Sequence, residues 1–357
     1  MNFSVEPLKD VNEWNGFIES FEGASFFHTV EWKELIQKNF CFEPLYLVAK
    51  NDFDKIVGAC PGFIAGSGLL RLYESIPYSD YGGVLCYSED VSHAFQEYLR
   101  YNSAKKGLAY AKICLLENTP ASTFKSSLSY VEKTKGVMEI NFGHLCSKDI
   151  WKNILSKKSR QNIKHIESSP LRAYHATSTD ELKEFYKIYC MSIEHVGALP
   201  LDFSFIRSVW ERLYPSNTEL WLMGERKVVG GVFILKNRIG SFAWLLGINR
   251  KELPCAIGRS ASVAPYLFWK QVVSSEIEGL SKVSFGSTPS DPNEAHYQIK
   301  KRIGATFRQQ EVVWFPLSAM GTMLLQIRKS TVSIWKSLRN YLPVAAKAQV
   351  ESKLLRL

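Results

Sequence analysis

The chain lacks the cysteine pairs that mark a zinc cage or a disulfide framework. Its seven cysteines stand at positions 41, 60, 86, 114, 146, 190 and 255, and no two of them form a CxxC pair. Cysteines spread in this way are typical of reduced, mostly buried thiols in a cytoplasmic protein. The sequence therefore predicts no metal site and no bound cofactor, and we expect a cytoplasmic location.

The chain also has no long apolar run. Its longest apolar-looking stretch, Val312–Leu325, is short and is interrupted by Pro316, Ser318 and Gly321, so we do not expect it to cross a bilayer. The first residues, MNFSVEPLKDVNEW, carry early acidic side chains, and we expect no signal peptide there. The sequence predicts a protein that is soluble, or at most peripheral to the inner face of the cell membrane.

Acidic residues are scarce in the segment 318–357. It contains seven Lys or Arg residues and one acid, Glu351, so it holds most of the chain's net charge of +9. Its apolar side chains recur every three or four residues beside basic ones: Leu324, Ile327, Ile334, Trp335, Leu338 and Leu342, bordered by Arg328, Lys329, Lys336 and Arg339. Such an amphipathic helix lies on an anionic membrane surface or docks on the protein's own core. Nucleic-acid binding rests on the net charge alone and is the weaker interpretation.

What is present indicates a folded protein with two domains, since the 357 residues are 46% hydrophobic and 13% aromatic. Hydrophobic periodicity predicts a similar order of elements in both halves, joined by a helix at 148–168. In the second half the order is β-α-α-β-β-β-α-β-α-β, which is similar to that of the GNAT acyltransferase fold. We predict an α/β protein with two tandem GNAT-like domains, 1–145 and 146–317, and a basic amphipathic helical tail, 318–357.

One stretch, 284–307, places a helix with a lysine between two strands. Asp291 is positioned to cap the helix, which would begin at the next residue, and Gly304 ends it. Apolar residues that recur every four positions are expected to face a core: Ala295, Ile299 and Ile303. His296 and Lys300 share a face. Taken alone, the stretch is predicted to be scaffold, and the alternative is that it presents Lys300 to a reacting carbonyl.

Seven runs of the sequence carry a family resemblance. They are SFFHTVEW (25–32), IPYSDYGG (76–83), KKSRQNIKH (157–165), IEHVGALPL (193–201), KVVGGVFIL (227–235), WLLGIN (244–249) and FGSTP…YQIKKRIGA (285–305). In this order they resemble the FemAB-like transferases, tandem GNAT-like proteins related to the enzymes that add amino acids to peptidoglycan precursors. The resemblance implies transfer of an acyl or aminoacyl group to an amine on a cell-envelope precursor. The best-known members use an aminoacyl-tRNA ester, which is already activated and needs no metal.

The resemblance places Lys300 where those enzymes have a lysine thought to stabilise the oxyanion of the tetrahedral intermediate. Aminolysis of an ester needs a neutral amine, stabilisation of that oxyanion and exclusion of water, and a fixed lysine supplies the second. The chain departs from the family at Ile299, usually Phe, and at Ile303, usually Trp. Both changes keep the apolar face of the helix and remove aromatic walls from the acyl site.

The turn cluster PYSDYGG at 77–83 is the candidate site of the first half. Gly82 and Gly83 allow close approach of the backbone, and Asp80 is suited to orient a cation or to act as a base. Tyr81 beside it is a candidate substrate-binding residue. In the alternative interpretation, Asp80 forms an Asx-turn and caps its own loop.

The run KKSRQNIKH places Lys157, Arg160 and Lys164 on one face of a helix, where they suit a phosphate or a nucleic-acid backbone. A solvated helix face explains the same pattern. Asn162 stands where the family usually has Asn, and it is a candidate to bind substrate or neighbouring backbone. This basic face, with Asp80, is predicted to hold the acceptor.

Further candidates are predicted near the acyl site. His195 follows a helix and precedes a glycine, where family members often carry His or Arg, and a capping role explains it equally well. The side chains expected to line the splay between the central strands and the helix that follows are Trp244, Asn249, Ser287 and Tyr297. For Trp244, a place in the core is the favoured interpretation.

These expectations combine into a cytoplasmic FemAB-like N-acyltransferase that acts on an envelope glycan or peptidoglycan precursor. Aminoacyl-tRNA is the expected donor, which makes tRNA an expected partner. An acyl-CoA donor calls for a pyrophosphate-binding loop, and the nearest match, CAIGRSA at 255–261, is poor. The alternatives are a non-catalytic binding or assembly protein of polysaccharide biosynthesis and a CoA-dependent GNAT acetyltransferase.

Overall fold

The structure, a computed structural model, describes residues 3–253 and 263–338, apart from the side chains of residues 69 and 332–338. Its helices are α1 (Val11–Ser20), α2 (Val30–Asn39), α3 (Glu89–Lys106), α4 (Ser147–Asp149), α5 (Lys157–Ser168), α6 (Thr179–His195), α7 (Phe203–Leu213), α8 (Val263–Ile277), α9 (Ala295–Arg302) and α10 (Ala319–Leu338). Its strands are β1 (Ser4–Pro7), β2 (Glu43–Pro44), β3 (Leu47–Lys50), β4 (Ile56–Cys60), β5 (Phe63–Ala65), β6 (Leu72–Glu74), β7 (Leu85–Cys86), β8 (Tyr110–Leu116), β9 (Tyr130–Asn141), β10 (Arg172–His175), β11 (Thr218–Gly224), β12 (Val228–Asn237), β13 (Gly240–Ile248), β14 (Lys282–Pro289) and β15 (Thr306–Pro316). The predicted α/β class is confirmed.

The chain divides into two compact units. Unit 1 comprises Met1–Gly136 and Gln309–Leu357, and unit 2 comprises Val137–Arg308. The chain enters unit 2 within β9 and returns to unit 1 within β15, whereas the domain boundaries predicted from the sequence lie after positions 145 and 317. The strands set this division because Ile140 of β9 packs in the core of unit 2 and Phe315 of β15 packs in the core of unit 1.

Unit 1 contains an antiparallel sheet in the order β1-β3-β4-β7 and a second group of strands in the order β15-β8-β6-β5-β2. Within the second group, β6 and β8 are parallel. Helices α1 and α2 begin where the side chains of Asp10 and Thr29 accept hydrogen bonds from backbone N–H groups of the first turn. Tyr73, Phe95 and Phe124 are fully buried in the core of this unit.

Unit 2 has the GNAT-like order of elements predicted for the second domain. Strands β10, β11, β12 and β13 are antiparallel neighbours, and β14 joins β13 in parallel. Helix α6 covers one face and α8 the other, as two adjacent glycines of β12 demonstrate. A Cβ on Gly231 would approach Phe185 of α6 to 2.9 Å, and a Cβ on Gly230 would approach Val263 of α8 to 2.7 Å.

The strands of unit 2 separate toward one end. Among the described residues, β13 and β14 pair only where Ser241–Phe242 meets Val283–Ser284. Because the two strands are parallel, the last residues of β14, Gly286–Pro289, lie at the end where β13 finishes at Ile248. Strand β12 begins at that end, with Gly230 opposite Ile248. The gap between β13 and β14 is the splay that a GNAT-like domain is expected to have between its central strands.

Two local predictions are wrong. The helix predicted at 148–168 is interrupted, because Ser156 accepts the N–H of Ser159 and so caps a new helix, α5. Helix α9 begins at Ala295 instead of directly after Asp291, whose side chain accepts the N–H of Asn293 in the preceding turn. The loop 255–261, considered as a coenzyme A site, lies outside the described residues.

The described part of the predicted tail, α10, belongs to unit 1 and packs against strands β8 and β15 of that unit. Leu325 is buried beside Trp314, and the guanidinium of Arg328 lies 3.9 Å from the centre of the Trp314 ring. Arg328 also binds Glu132 at 3.0 Å. This part of the helix therefore follows the core-docking alternative.

Two apolar side chains of α10 nevertheless face solvent. Met323 is 48% exposed and Ile327 is 55% exposed. In the part of the chain that the structure describes, no helix combines the length and the apolar character needed to cross a membrane. The remaining tail residues, 339–357, lie outside the described residues.

Candidate functional site

The first candidate site lies at the open end of the splay in unit 2. Ser192 of α6 donates to the carbonyl oxygen of Ile248 at 3.0 Å and accepts its N–H at 2.7 Å. These bonds bring the C-terminal part of α6 to the end of β13. Helix α9, which follows β14, contributes Lys300 at the end of that strand.

Lys300 is buried, and the end of β14 surrounds its ammonium group. Nζ donates to the carbonyl oxygens of Ser287 at 2.8 Å and Gly286 at 3.3 Å, and to Oγ1 of Thr288 at 2.9 Å. Three such contacts match the three N–H donors of an ammonium group. Gly286 has a φ of 73°, so the strand departs from regular geometry where it binds the cation. Lys300 therefore clamps an irregular strand end and fixes a positive charge there.

Core packing orients the helix that carries Lys300. Ile303 is fully buried, and Ile299 packs against the same core cluster, so both isoleucines face the core as predicted. At Gly304 the φ is 100°, and a Cβ there would lie 2.0 Å from the side chain of Ile154. The end of α9 therefore has no space for a side chain at position 304.

Helix α9 also carries a histidine one turn before Lys300. Desolvation first, and then the charges of Lys300 and Arg250, lower the pKa of His296 below its ordinary value. An imidazole that stays neutral at neutral pH can accept a proton from an amine. The neighbouring Tyr297 packs its ring on Phe307, with 5.3 Å between the ring centroids.

A cleft of about 340 Å³ lies beside the end of β13. It is lined by α6, by the turn between β11 and β12, and by Asn249. The Asn249 N–H donates to the carbonyl of Val229 at 2.8 Å, and its Oδ1 accepts the N–H of Lys251 at 3.2 Å. The charged side chains of the cleft have both signs: Glu184, Lys187, Glu225, Arg226 and Lys227. His195 is exposed at the last position of α6.

Trp244 lies in the core of unit 2, which is the position that the sequence analysis favoured for it. Its ring packs edge-on against Phe205 of α7 and Phe233 of β12, with ring centroids 5.7 and 5.5 Å away. The residue is 8% exposed. Its position supports the sheet, and the proposed ligand contact stays a prediction.

The basic face predicted on α5 is divided. Arg160 is half-buried, and its Nη1 donates to three carbonyl oxygens of the preceding turn at 2.7, 3.0 and 3.1 Å. Its guanidinium therefore caps that turn. Lys157 and Lys164 are exposed, so an anion in solution can reach them. Asn162 is half-buried.

The second candidate site is the loop 76–83 of unit 1, whose backbone is bound from several directions. Gly83 N–H donates to Nε2 of His28 at 3.2 Å, and Ser25 Oγ donates to the carbonyl of Tyr81 at 3.2 Å. Nδ1 of the same imidazole accepts the backbone N–H of Ser25 at 3.1 Å and lies 2.9 Å from Ser25 Oγ. The run SFFHTVEW thus holds the run PYSDYGG in place.

The loop is also strained. Ile76 and Tyr78 have φ values of 36° and 58°, and each residue outside the favoured regions costs about 1–3 kcal/mol. A Cβ on Gly83 would lie 1.6 Å from the carbonyl oxygen of Cys114, so only glycine fits. The ring of Tyr78 stacks on Phe40, with centroids 4.1 Å apart and planes at 12°. Strain held so firmly is a feature of binding and catalytic sites.

Asp80 and Tyr81 have different surroundings within this loop. Asp80 is half-buried, and Nε2 of Gln310 donates to its backbone carbonyl at 3.2 Å and also to Sγ of Cys114. Burial raises the pKa of that thiol. Tyr81 is 1% exposed and packs edge-on against Phe27, so its ring anchors the loop in the core.

Sequence reasoning missed three residues that fix this loop. His28 lies inside the run SFFHTVEW, which the sequence analysis singled out, and its place in that run was the available signal. Cys114 and Gln310 lie on β8 and β15 and carry no local signal, because their contacts with the loop are long-range. No three His, Cys, Asp or Glu side chains of the described ranges gather as metal ligands.

No protein-family model matches the chain, and no curated protein matches its sequence. The crystal structure of FemX is similar, with a TM-score of 0.68 at 11% identity, over 92% of this chain and 99% of that chain. The C-terminal domain of a putative lysylphosphatidylglycerol synthetase from Agrobacterium fabrum has a TM-score of 0.55 at 9% identity, over 88% and 94%. L-PGS from Bacillus licheniformis has a TM-score of 0.53 at 11% identity, over 89% and 96%.

At these identities the likeness establishes the fold. The chain therefore has the FemAB-like, GNAT-type acyltransferase fold that its sequence indicated.

Proposed function

We propose that the protein is a FemAB-like N-acyltransferase that transfers an aminoacyl or acyl group to an amine of an envelope glycan or peptidoglycan precursor. The main support is the buried Lys300 ammonium at the open end between β13 and β14. A fixed positive charge of this kind stabilises the oxyanion that forms when an amine attacks an ester carbonyl. The fold shared with FemX supports the same class of reaction.

In this proposal Lys300 exchanges one partner during the reaction. Its contact with the carbonyl of Gly286, at 3.3 Å, is the longest of the three and hence the weakest. A hydrogen bond to a developing oxyanion is roughly twice as strong as one to a neutral carbonyl. The exchange therefore favours the transition state over the ground state, which is what accelerates a reaction.

The attacking amine must lose a proton, and His296 is our candidate to accept it. Its pKa is lowered, so the imidazole is neutral at neutral pH. It shares α9 with Lys300, so one helix would supply both the oxyanion donor and the base. We propose that Asp80 in the strained loop of unit 1 contributes to acceptor binding.

We propose aminoacyl-tRNA as the donor. The exposed Lys157 and Lys164 are suited to phosphates, and the cleft at Asn249 adds Lys187 and Arg226 among charges of both signs. The remaining candidates near the strand ends, His195 and the Ser287 backbone, would line the site. Acyl-CoA is the alternative donor.

The proposed function is tested by incubating the purified protein with aminoacyl-tRNA, with acyl-CoA, or with neither, in each case with a pool of lipid-linked envelope precursors. Mass spectrometry then detects any precursor that gains an acyl group. We expect a gain of one aminoacyl residue with aminoacyl-tRNA. A gain with acyl-CoA alone would reassign the donor, and no gain in any arm would contradict the proposal.

A second candidate function follows from the same lysine. All three N–H groups of Lys300 already have protein acceptors, which suits a purely structural clamp. The protein would then bind an envelope glycan without turnover, as an assembly protein of polysaccharide biosynthesis. This candidate predicts precursor binding with no mass gain in the same assay.

We propose a location at the inner face of the cell membrane through α10. Met323 and Ile327 are exposed on this helix although its other side docks on unit 1. Replacing both residues with Ser leaves the buried Leu325 contact untouched. We expect the double variant to sediment with anionic vesicles less than the unchanged protein does, and equal sedimentation would exclude α10 as the contact.

A further inference from the structure

The cleft beside the end of β13 is lined by four charged side chains that form no ion pair with any described residue. Glu184 and Lys187 lie on α6, one helical turn apart. Glu225 and Arg226 lie in the loop that joins β11 to β12. All four are exposed, so a ligand in solution can reach them. The cleft therefore presents two negative and two positive charges that no described residue pairs.

A comparison within α6 shows that this arrangement is not general for the surface of the helix. Lys183 binds Asp180 at 2.8 Å, across one turn. Lys187 follows Glu184 at the same spacing and in the same order, a pattern that also favours pairing. Yet both of these side chains line the cleft, and they do not pair with each other. The charges of Glu184 and Lys187 are thus directed at the cleft, where a ligand can bind them.

The walls of the cleft are held in place by close packing. A Cβ on Gly224, where the loop begins, would lie 2.3 Å from the carbonyl oxygen of Lys227, so only glycine fits there. Lys227 also binds Glu252 at 3.3 Å. On the α6 side, a Cβ on Gly247 of β13 would lie 2.9 Å from the backbone nitrogen of Tyr189, so the helix lies directly on the strand. Such preorganisation lowers the entropy lost when a ligand binds.

The cleft also has an apolar surface. Three of the side chains that line it are apolar or aromatic: Tyr174, Ile188 and Met191. Ile188 is buried, whereas Tyr174 is 38% exposed and Met191 is 42% exposed. Desolvation first, and then the charges of Glu181 and Glu184, raise the pKa of Tyr174, so the Glu184 carboxylate lies near this surface. Apolar surface of this kind favours a ligand whose apolar body removes it from water.

We propose that the cleft binds a zwitterionic amino-acid unit, which carries an ammonium and a carboxylate on an apolar body. Glu184 and Glu225 suit the ammonium group. The cations of Lys187 and Arg226 suit the carboxylate. The four charges sum to zero, so they complement a ligand without net charge, whereas a nucleotide carries negative charge alone and would meet both carboxylates. The cleft volume of about 340 Å³ lies within the range of small-molecule sites, about 300–1,000 Å³.

The proposal goes beyond the proposed function and does not depend on it. With the cleft occupied, a donor phosphate would still have the exposed Lys157 and Lys164 of α5 to bind. Two sources carry the chemistry that the cleft fits, namely a free amino acid and the end of a peptide, and the experiment separates them.

The test is a nuclear magnetic resonance titration in which the signals of small probes are followed while the purified protein is added. Leucine and leucyl-leucine carry both charges, N-acetyl-leucine carries only the carboxylate, and leucinamide carries only the ammonium. We expect the better zwitterion to bind at least about fivefold more tightly than either singly charged probe, because each of those lacks one charge contact. Tighter binding of leucine identifies a free amino acid as the ligand, and tighter binding of leucyl-leucine identifies a peptide end.

Two substitutions on α6 test the roles of the charges separately. We expect Lys187→Gln to weaken binding of the zwitterion and of N-acetyl-leucine by about threefold and to leave binding of leucinamide unchanged. We expect Glu184→Gln to weaken binding of the zwitterion and of leucinamide and to leave binding of N-acetyl-leucine unchanged. Lys183→Gln and Glu194→Gln are the matched controls, because both residues are exposed on α6 and do not line the cleft. They should change no affinity.

All four substitutions replace exposed side chains, so the variants are expected to fold. Equal affinity for the zwitterions and the singly charged probes would overturn the proposal, as would undiminished affinity in both Lys187→Gln and Glu184→Gln. Adenosine monophosphate is the probe for an anion site, and binding tighter than that of the zwitterions would also overturn it. Failure of these tests leaves the proposed function standing, because transfer is measured in a separate assay.

Discussion

The loop 76–83 of unit 1 and the strand end Gly286–Pro289 of unit 2 both hold an irregular backbone in a fixed shape, and they use different chemistry to do so. The loop is held by neutral groups, among them the imidazole of His28 and the hydroxyl of Ser25. The strand end is held by the charge of Lys300. In the loop an acidic side chain stays half-buried, and at the strand end a cation is enclosed.

The difference bears on what each region can do. The contacts that shape the loop are neutral, and the loop carries the acidic residue Asp80, whose carboxylate suits the binding of a cationic or amine group. The strand end concentrates positive charge, which suits a developing oxyanion. Substitutions in the two regions are therefore expected to lower the free energy of unfolding by different amounts. The predictions below run from the largest expected effect to the smallest.

The largest loss of stability is expected for Gly83→Ala in the loop. The added Cβ would lie 1.6 Å from the Cys114 carbonyl oxygen, which is backbone and cannot rotate away. We expect the free energy of unfolding to fall by about 3 kcal/mol, measured by urea denaturation. Gly16→Ala in α1 is the control, because nothing lies within 4 Å of its Cβ and alanine favours a helix by about 0.5–1 kcal/mol. Equal stability of the two variants would disprove the tight packing of the loop.

A smaller loss is expected for Thr288→Val at the strand end. Valine keeps the shape of threonine but removes the hydroxyl that Lys300 contacts at 2.9 Å. A buried hydrogen bond to a charged group contributes about 1.5–3 kcal/mol, and we expect a loss of unfolding free energy in that range. A thermal or urea unfolding curve unchanged from that of the parent protein would show that Thr288 does not help to hold the ammonium.

Ser25→Ala tests the neutral counterpart in unit 1. It removes the hydroxyl that contacts the carbonyl of Tyr81 at 3.2 Å and Nδ1 of His28 at 2.9 Å. For a neutral hydrogen bond we expect a loss of about 1 kcal/mol, less than for Thr288→Val. The reverse order in the same denaturation experiment would contradict the contrast between a neutral and a charged clamp.

The smallest effect concerns pH and is confined to unit 2. The pKa values of His175 and His296 are both lowered, mainly by desolvation, so the unfolded chain binds more protons than the folded one near their ordinary pKa. Stability should therefore decline as the pH falls through about 6.5. Both residues are exposed, so the decline is modest. We expect His296→Gln to flatten the slope between pH 7.5 and pH 5.5, and an unchanged slope would refute its contribution.

Local patterns predicted much of the fold. The apolar pattern of the sequence predicts helices at 10–21 and 29–39, and the structure has α1 at Val11–Ser20 and α2 at Val30–Asn39. A capping residue and an apolar stripe suffice to specify both. The break before α5 was missed because Ser156 competes as a cap inside an otherwise helical pattern. Apolar periodicity alone does not show where a capping residue interrupts a helix.

The candidate sites were only partly predictable for a related reason. A helix pattern placed Lys300 on α9, but two of its three acceptors are backbone carbonyls, which no side-chain pattern reveals. Arg160 matched a basic face by spacing, yet its guanidinium caps a turn formed by nearby backbone. Gln310 contacts Asp80, which is 230 residues away in the sequence. No local sequence pattern can indicate a contact over that separation.

The central claim is that the charge of Lys300 acts on the reaction as well as on the fold. Its most direct test compares the transfer rates of Lys300→Met and Lys301→Met, because Lys301 is the exposed neighbour on the same helix. In protein shown by circular dichroism to be folded, we expect Lys300→Met to lose about 10²–10³-fold in rate. We expect Lys301→Met to retain nearly full activity. A folded Lys300→Met variant that transfers at the parent rate would contradict the account.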